Sequence, residues 1–499
     1  MSEHANKPAR DDFAGVGSSG LILNEPLLWE KGRPGRSAMS VPEADVPAAP
    51  ALPPELAGEG PDWPDLSELE VVRHYTRLST WNFGVDTGMY PLGSCTMKYN
   101  PKINEALAAL PGFGRAHPLL PAEACQGALR LIYETEKLLA AIVGLRAASL
   151  QPAAGAHGEL AGMLMIAAYH RHHKTGKKTV LMPDTAHGTN PATAAMCGFR
   201  EVKVPLGPDG RLHVETVAGL LDDDVAAIMV TNPNTLGIFE SELPAISRMI
   251  HEKGGLVYGD GANLNAVMGR VDMDKMGVDV IHYNLHKSMS TPHGGGGPGS
   301  GPVAVGATLE PYLPGPRVVK RDGVFAWTDD LPLSIGRLHG FHGQFGIYLR
   351  AYAYIMSLGL EGLRNVSGLA VLNANYIQER LKGAYDLPFD QRCMHECVFT
   401  DARQSGNKVS TMDIAKRLID LGYHPPTVYF PLVVHGALMI EPTETEAKED
   451  LDGFIGAMLR IAEEAVGEPD LLHAAPTLTK VGRLDETTAA RKPKLTGDM

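Results

Sequence analysis

The sequence predicts an α/β fold with a mostly parallel central sheet and a smaller C-terminal α/β domain after it. Three observations lead there. Short apolar runs recur at 179–182 (TVLM), 226–231 (AAIMVT), 255–259 (GLVYG), 278–283 (VDVIHY) and 302–307 (PVAVGA). Helix-period stretches such as 160–173 and 242–253 separate several of them. Strands alternating with helices indicate parallel pairing, because a parallel crossover needs a connection of that length. Finally, four runs end in side-chain-rich polar segments, PDTAHGTN, NPNTLG, DGANLNA and NLHKS. In such sheets ligands gather at the carboxyl ends of strands.

Taken in chain order, residues 1–60 are rich in Pro, Gly, Ala and charge, and proline recurs too often in 41–56 for a helix. They read as an extended arm that packs on something else. Residues 128–143 have helical spacing. So do 346–358, with Phe345, Leu349, Tyr352 and Ile355 near one side. A second α/β segment and an exposed tail containing Lys492, Pro493 and Lys494 follow. The expected division is an arm and substrate-side segment (1–124), a large domain (125–335), and a linking helix, small domain and tail (336–499).

The 499 residues allow two or three domains, and 45 basic against 58 acidic residues leave a net charge of −13. Such a surface disfavours nucleic acid and anionic membrane. No apolar run reaches the roughly 18 residues of a membrane span. The N-terminus lacks an apolar signal core, and five cysteines make no disulfide framework. A reducing, cytoplasmic setting is expected.

Lys287 is the chemical anchor. It follows an apolar run and precedes a glycine-rich stretch that lets backbone approach a ligand. A lysine that is buried or near other cations loses its proton readily and becomes a Schiff-base nucleophile. Lys287 and the adjacent His286 are the candidate catalytic residues. Asp260 ends the neighbouring run, and Ala262 lies just past it. An Asp-Gly turn alone would account for Asp260, but a lysine beside it adds chemistry. In QPAAGAHGE (151–159), small residues precede a helix start, so Gly155 and Ala156 offer backbone N–H groups to a phosphate. His157 could stack on a flat ring. Asn232 could reach a phenolic oxygen, and His187, Thr189 and Asn190 are further polar candidates. A Schiff-base lysine, a carboxylate for a pyridine nitrogen and a phosphate loop are the requirements of pyridoxal phosphate.

Other motifs are set aside. Residues 294–299 contain G-x-G-x-x-G, but neither a preceding strand nor a following helix accompanies it. His170, His172 and His173 read as a charged helix end. Cys393 and Cys397 lack a second pair to complete a zinc site, and no metal is expected.

The phrases NLHKSMSTPHGGGGPG, YGDGANLNA, AHGTNPATAAMCG, TNPNTLGIFE and PLGSCTMKYNPKINEA together closely resemble the P-protein of the glycine cleavage system. The resemblance is closest to the second subunit of its split bacterial form, and runs from about Pro26 past 438–446. It implies a fold type I pyridoxal-phosphate enzyme with Lys287 carrying the cofactor and Asp260 on the pyridine nitrogen. It also implies Tyr90, Ser94, Thr96 and Lys98 on the substrate side. Ser288 stands where the family usually has Thr, so the hydroxyl is retained. The implied reaction is decarboxylation of glycine and transfer of the aminomethyl group to the lipoyl arm of the H-protein. The implied partners are the companion subunit 1 and the lipoylated H-protein, which Lys98 or Lys102 would meet if that carrier is acidic.

The runner-up activity is another fold type I reaction, an aminotransferase or cysteine desulfurase. Arg337 and Arg350 leave a carboxylate-binding arginine open. A non-catalytic partner subunit is the reading from a different class. The presence of both Lys287 and Asp260 argues against it.

Overall fold

The structure, a computed structural model, describes residues 25–47, 50, 52–58, 60, 63–294, 299–479 and 481–495. They fall into two compact units, one of the residues up to Gly84 with those from Pro476, the other Val85–Ala475.

In the first unit, helix Glu68–Ser79 starts at a capping box in which the Ser67 hydroxyl accepts from Glu70 N and the Glu70 carboxylate accepts from Ser67 N. Glu25 is buried and held by Lys31, His74 and Arg77 at 2.5, 2.9 and 3.0 Å. The described part of 41–56 contains no helix, as its prolines require.

The second unit is built on seven strands: β1 (Ala147–Ser149), β2 (Thr179–Pro183), β3 (Arg200–Val204), β4 (Val225–Thr231), β5 (Leu256–Gly261), β6 (Val280–Tyr283) and β7 (Val303–Val305). Their order is β1-β7-β6-β5-β4-β2-β3. All pairs are parallel except those made by β7, which runs antiparallel to β1 and β6. The interior strand β4 is buried at all seven positions, which explains its unbroken apolar run. The edge strand β3, REVKV, is largely exposed, so its charges hid it from a reading based on hydrophobicity. Helices cover both faces, Gln126–Ile142 on one and Gly155–His172 on the other. A hairpin of β8 (Arg317–Arg321) and β9 (Val324–Thr328) follows.

The helix expected at 346–358 is the first part of a longer one, Phe345–Leu381, broken in backbone conformation at Gly359 (φ 61°). Its first part packs Ile347, Leu349 and Ile355 into the large core. Its second part packs Ala374, Ile377 and Leu381 into the core of a small domain. There an antiparallel sheet of β10 (Cys397–Thr400), β11 (Thr427–Val428) and β12 (Ala437–Ile440) lies with helices Thr411–Asp420 and Lys448–Gly467. The segment around residue 92, expected with the arm, joins this domain: Leu92 bridges Ile440.

His170 is not part of a charged helix end. It is buried, with Nε2 at 2.9 Å from the Ala226 carbonyl and Nδ1 at 2.8 Å from Thr175 Oγ1. Burial lowers its pKa. His172 and His173 are exposed as expected. Among the described residues no helix is long and apolar enough to cross a membrane.

Candidate active site

Strands β5 and β6 lie side by side, with Asp260 opposite His282. Lys287 follows β6 in the single helical turn Leu285–Ser288. Asp260 and Lys287 open on one cavity of about 340 Å3 at the carboxyl edge of the sheet. The carboxylate of Asp260 is 3% exposed. His187 Nδ1 lies 2.8 Å from Oδ2, Asn190 Nδ2 donates to the same oxygen at 3.3 Å, and Ala262 N donates to Oδ1 at 3.0 Å. Burial alone would raise the pKa of Asp260. The pull of His187 and His282 and these hydrogen bonds outweigh it and hold the carboxyl well below the usual range. An ionised Asp260 only accepts, so the proton of His187 sits on Nδ1. Its Nε2 lies 2.9 Å from Ser94 Oγ. Burial pushes His282 down to about 4, against the pull of Asp260.

The opposite wall is the start of helix Gly155–His172, with Gly155 and Ala156 at the cavity. The first N–H groups of a helix have no partner within it and carry partial positive charge. Glycine is required for this approach. A Cβ on Gly158 would sit 2.3 Å from the Gly301 carbonyl oxygen, and one on Gly155 would sit 2.5 Å from Asn284 Oδ1. That Asn284 oxygen is buried and has no hydrogen-bond partner among the described residues, and Asn284 lines the cavity. Thr189 and Ala262 also line it, Thr189 Oγ1 donating to Glu159 at 2.8 Å. Phe430, from the small domain, closes one side, its ring 6.1 Å from that of His187.

The sequence candidates therefore divide. Lys287, Asp260, Gly155, Ala156, Thr189, Ala262 and Ser94 share the cavity wall. The side chain of His157 instead accepts from Ala153 N and lies 5.5 Å from the ring of His339. Of the candidate histidines, His187 is the one that lines the cavity. Asn232 is tied into its own loop, bonded to both the N–H and the carbonyl of Glu240. His286 accepts from Ser300 N and faces His293, and burial with its cationic neighbours pushes it down to about 3. Tyr90 stacks on His424 at 3.9 Å. Thr96 is buried on Glu441, with N at 2.9 Å and Oγ1 at 2.5 Å from its carboxylate.

Lys98 is 2% exposed and its ammonium is fully used. It bonds Glu444, Asn265, the Ser288 carbonyl and Tyr354 at 2.8–3.1 Å. It therefore offers nothing to an acidic carrier at the surface. Lys102 is exposed and paired with Asp86 at 2.6 Å. Arg350 is engaged by both oxygens of Glu105, at 2.8 and 2.7 Å. Among the residues that sequence reasoning missed, Asn284 was legible, three positions before Lys287. Phe430 carries no local signal.

Residues 155–324 match the class-V aminotransferase family, and residues 366–470 match the C-terminal domain of glycine dehydrogenase. A crystal structure of glycine decarboxylase (P-protein) in inhibitor-bound form superposes with a TM-score of 0.70, covering 82% of this chain and 93% of that one at 22% identity. The architecture is that of a fold type I pyridoxal-phosphate-dependent enzyme. The glycine-walled helix start, the orphaned Asn284 oxygen and the Lys287–Asp260 pair fit that group. The probable glycine dehydrogenase (decarboxylating) subunit 2 of Caldanaerobacter subterraneus subsp. tengcongensis is 53% identical over 94% of this chain and 97% of its own length. Its counterpart in Halalkalibacterium halodurans is also 53% identical, over 95% and 98%. The chain belongs to the family of glycine dehydrogenase (decarboxylating) subunit 2.

Proposed function

We propose that this chain decarboxylates glycine with pyridoxal phosphate bound at Lys287, and passes the aminomethyl group to the lipoyl arm of an H-protein. The observation that carries this reading is the convergence of Lys287, Asp260 and the N-terminus of helix Gly155–His172 on one cavity, in a chain whose relatives are glycine dehydrogenases. When bound, the cofactor supplies an electron sink for the carbon that loses CO2. Lys287 would bind and release it. Asp260, kept ionised by its histidine neighbours, would hold the proton on the ring nitrogen. The N–H groups of Gly155 and Ala156 would hold the phosphate. His187 orients Asp260 through Nδ1 and Ser94 through Nε2. Phe430 lines the cavity on the small-domain side.

A companion subunit is part of the proposal, because the relatives are named as second subunits. The assay is release of labelled CO2 from carboxyl-labelled glycine with lipoylated H-protein, before and after adding the companion. Full activity of the chain alone would remove the companion from the reading. No CO2 from the complete mixture would overturn the function itself. Lys287→Ala is expected to fold normally and lose both CO2 release and the visible absorbance of the bound cofactor. The aminotransferase alternative gains nothing from Arg350, which Glu105 occupies.

A further inference from the structure

Two glutamates and a histidine of the small domain converge in its interior. His395 and Glu396 immediately precede β10, and Glu441 immediately follows β12. These ends lie side by side because Cys397 pairs with Ile440. All three side chains belong to residues that are 0% exposed. Glu396 Oε2 accepts from Ser94 N at 2.8 Å, and Glu441 accepts from Thr96 N and Oγ1 at 2.9 and 2.5 Å. Among the described residues, His395 is the only basic side chain within 4 Å of either carboxylate. Two carboxyl groups taken out of water together need a compensating positive charge.

The spacing of the three groups indicates what supplies it. His395 Nε2 lies 3.8 Å from Glu396 Oε2 and 3.9 Å from Glu441 Oε1. Those separations are too long for hydrogen bonds. A proton on either carboxyl would therefore leave the imidazole unsatisfied, and neither of its ring nitrogens has a hydrogen-bond partner among the described residues. One ligand atom from each residue lies within 4.8 Å of the other two. The point equidistant from three atoms so spaced is roughly 2.0–2.5 Å from each, the bond length of a divalent cation to imidazole and carboxylate. A bridging water needs about 2.8 Å and would have to sit out of their plane. Two carboxylates cancel the charge of a divalent ion, and imidazole with carboxylate suits Zn2+ or Mn2+. The second cluster of this composition, His213, Glu215 and Glu242, differs: both nitrogens of His213 are already engaged, by Asp209 and Glu242 at 2.9 and 3.0 Å.

We propose that His395, Glu396 and Glu441 form a structural site for one divalent ion of the Zn2+ or Mn2+ kind, which clamps the small domain to the turn Ser94–Thr96. Ser94 and Thr96 both have left-handed backbones, φ 61° and 49°. Residues with side chains keep that conformation only where their surroundings hold it. The carboxylates that ligate the ion are the ones that hold this turn. Ser94 carries the geometry to the cofactor cavity, with its Oγ 2.9 Å from His187 Nε2. The three ligands are positioning residues and take no part in the reaction.

The test uses the full chain, treated with a chelator and then dialysed against Zn2+ or Mn2+ alone. Elemental analysis after gel filtration should find one tightly held ion per chain. His213→Gln should leave that ion in place, which separates the buried site from the surface cluster. His395→Gln and Glu441→Gln should each raise its dissociation constant on the order of 100-fold or more. Adding the ion should slow amide hydrogen exchange at residues 94–96 in the unaltered chain and not in His395→Gln. If the buried variants fail to fold, anomalous diffraction from crystals of the unaltered chain grown with Mn2+ decides the matter, with a peak expected between His395 Nε2 and the two carboxylates. A chain that holds no ion, an ion held equally well by His395→Gln, or an anomalous map without that peak overturns the proposal. None of these readouts needs cofactor or turnover, so their failure is distinct from failure of glycine decarboxylation.

Discussion

Replacing Lys98 by Met should damage stability rather than substrate binding. Lys98 Nζ lies 2.8 Å from Glu444, and their side chains are 1% and 7% exposed. The same ammonium ties the segment before helix Lys102–Ala108 to Asn265 beyond β5, to the carbonyl of Ser288 and to Tyr354 on the long helix. Met preserves volume but leaves Glu444 buried and uncompensated, which costs about 3–5 kcal/mol when one partner of a buried pair is removed. Unfolding entropy of about 2 cal/mol/K per residue over roughly 390 residues gives about 0.8 kcal/mol/K, so Tm should fall by about 4–6 °C. Replacing Glu444 by Leu in the same chain should recover most of the loss, because it removes the orphaned charge. The pH dependence has a definite sign. Burial lowers the pKa of Lys98, but the attraction of Glu444 and Tyr354 outweighs it and the net shift is upward. Stability from the pair is therefore complete below the ordinary lysine pKa and is lost as pH rises through the raised one. Calorimetry of the variants checks both points. An unchanged melt accompanied by lost CO2 release would refute the argument and return Lys98 to the substrate side.

Three further outcomes follow from the geometry. Asp260→Asn should still bind the cofactor, since the amide oxygen can accept from Ala262 N, while glycine decarboxylation falls on the order of 100-fold or more; a normal rate contradicts the assigned role. Gly158→Ala places a methyl 2.3 Å from the Gly301 carbonyl. It should cost about 1–3 kcal/mol and weaken cofactor binding by shifting the start of the helix, read as a rightward shift in an absorbance titration. In the first unit, burial opposes but Lys31, His74 and Arg77 prevail, lowering Glu25 from 4.5 to about 2. A lowered carboxyl pKa stabilises above 4.5 and ceases to as pH falls toward 2. Fluorescence of the stacked Trp29–Trp63 pair should therefore change within that window, and Glu25→Gln should abolish the dependence.

Chemistry at strand ends was legible because it is local. An aspartate after one apolar run, a lysine after the next and a glycine-walled helix start are each local signals, and parallel pairing brings neighbouring strand ends together. Strands β2, β4, β5, β6 and β7 announced themselves for the same reason: burial on both faces demands apolar runs. The β8–β9 hairpin was not among the expected elements, although its two-residue Asp322-Gly323 turn, both residues at positive φ, is of a kind a sequence can show.

Which way a polar side chain points was decided only by packing. His157, Asn232 and Lys98 have the composition of ligand contacts, yet their hydrogen bonds run to Ala153, to Glu240, and to Glu444, Asn265, Tyr354 and the Ser288 carbonyl, and none of the three lines the cavity. Of the candidate histidines, the one whose ring lines the cavity is His187, with Asp260 and Ser94 at its two nitrogens. The small domain contributes Phe430 from more than 100 positions beyond Lys287. A sequence shows what chemistry a residue can perform and the period of its element. The partners of a buried group are set by long-range contacts, and those contacts exist only once the core has closed around them.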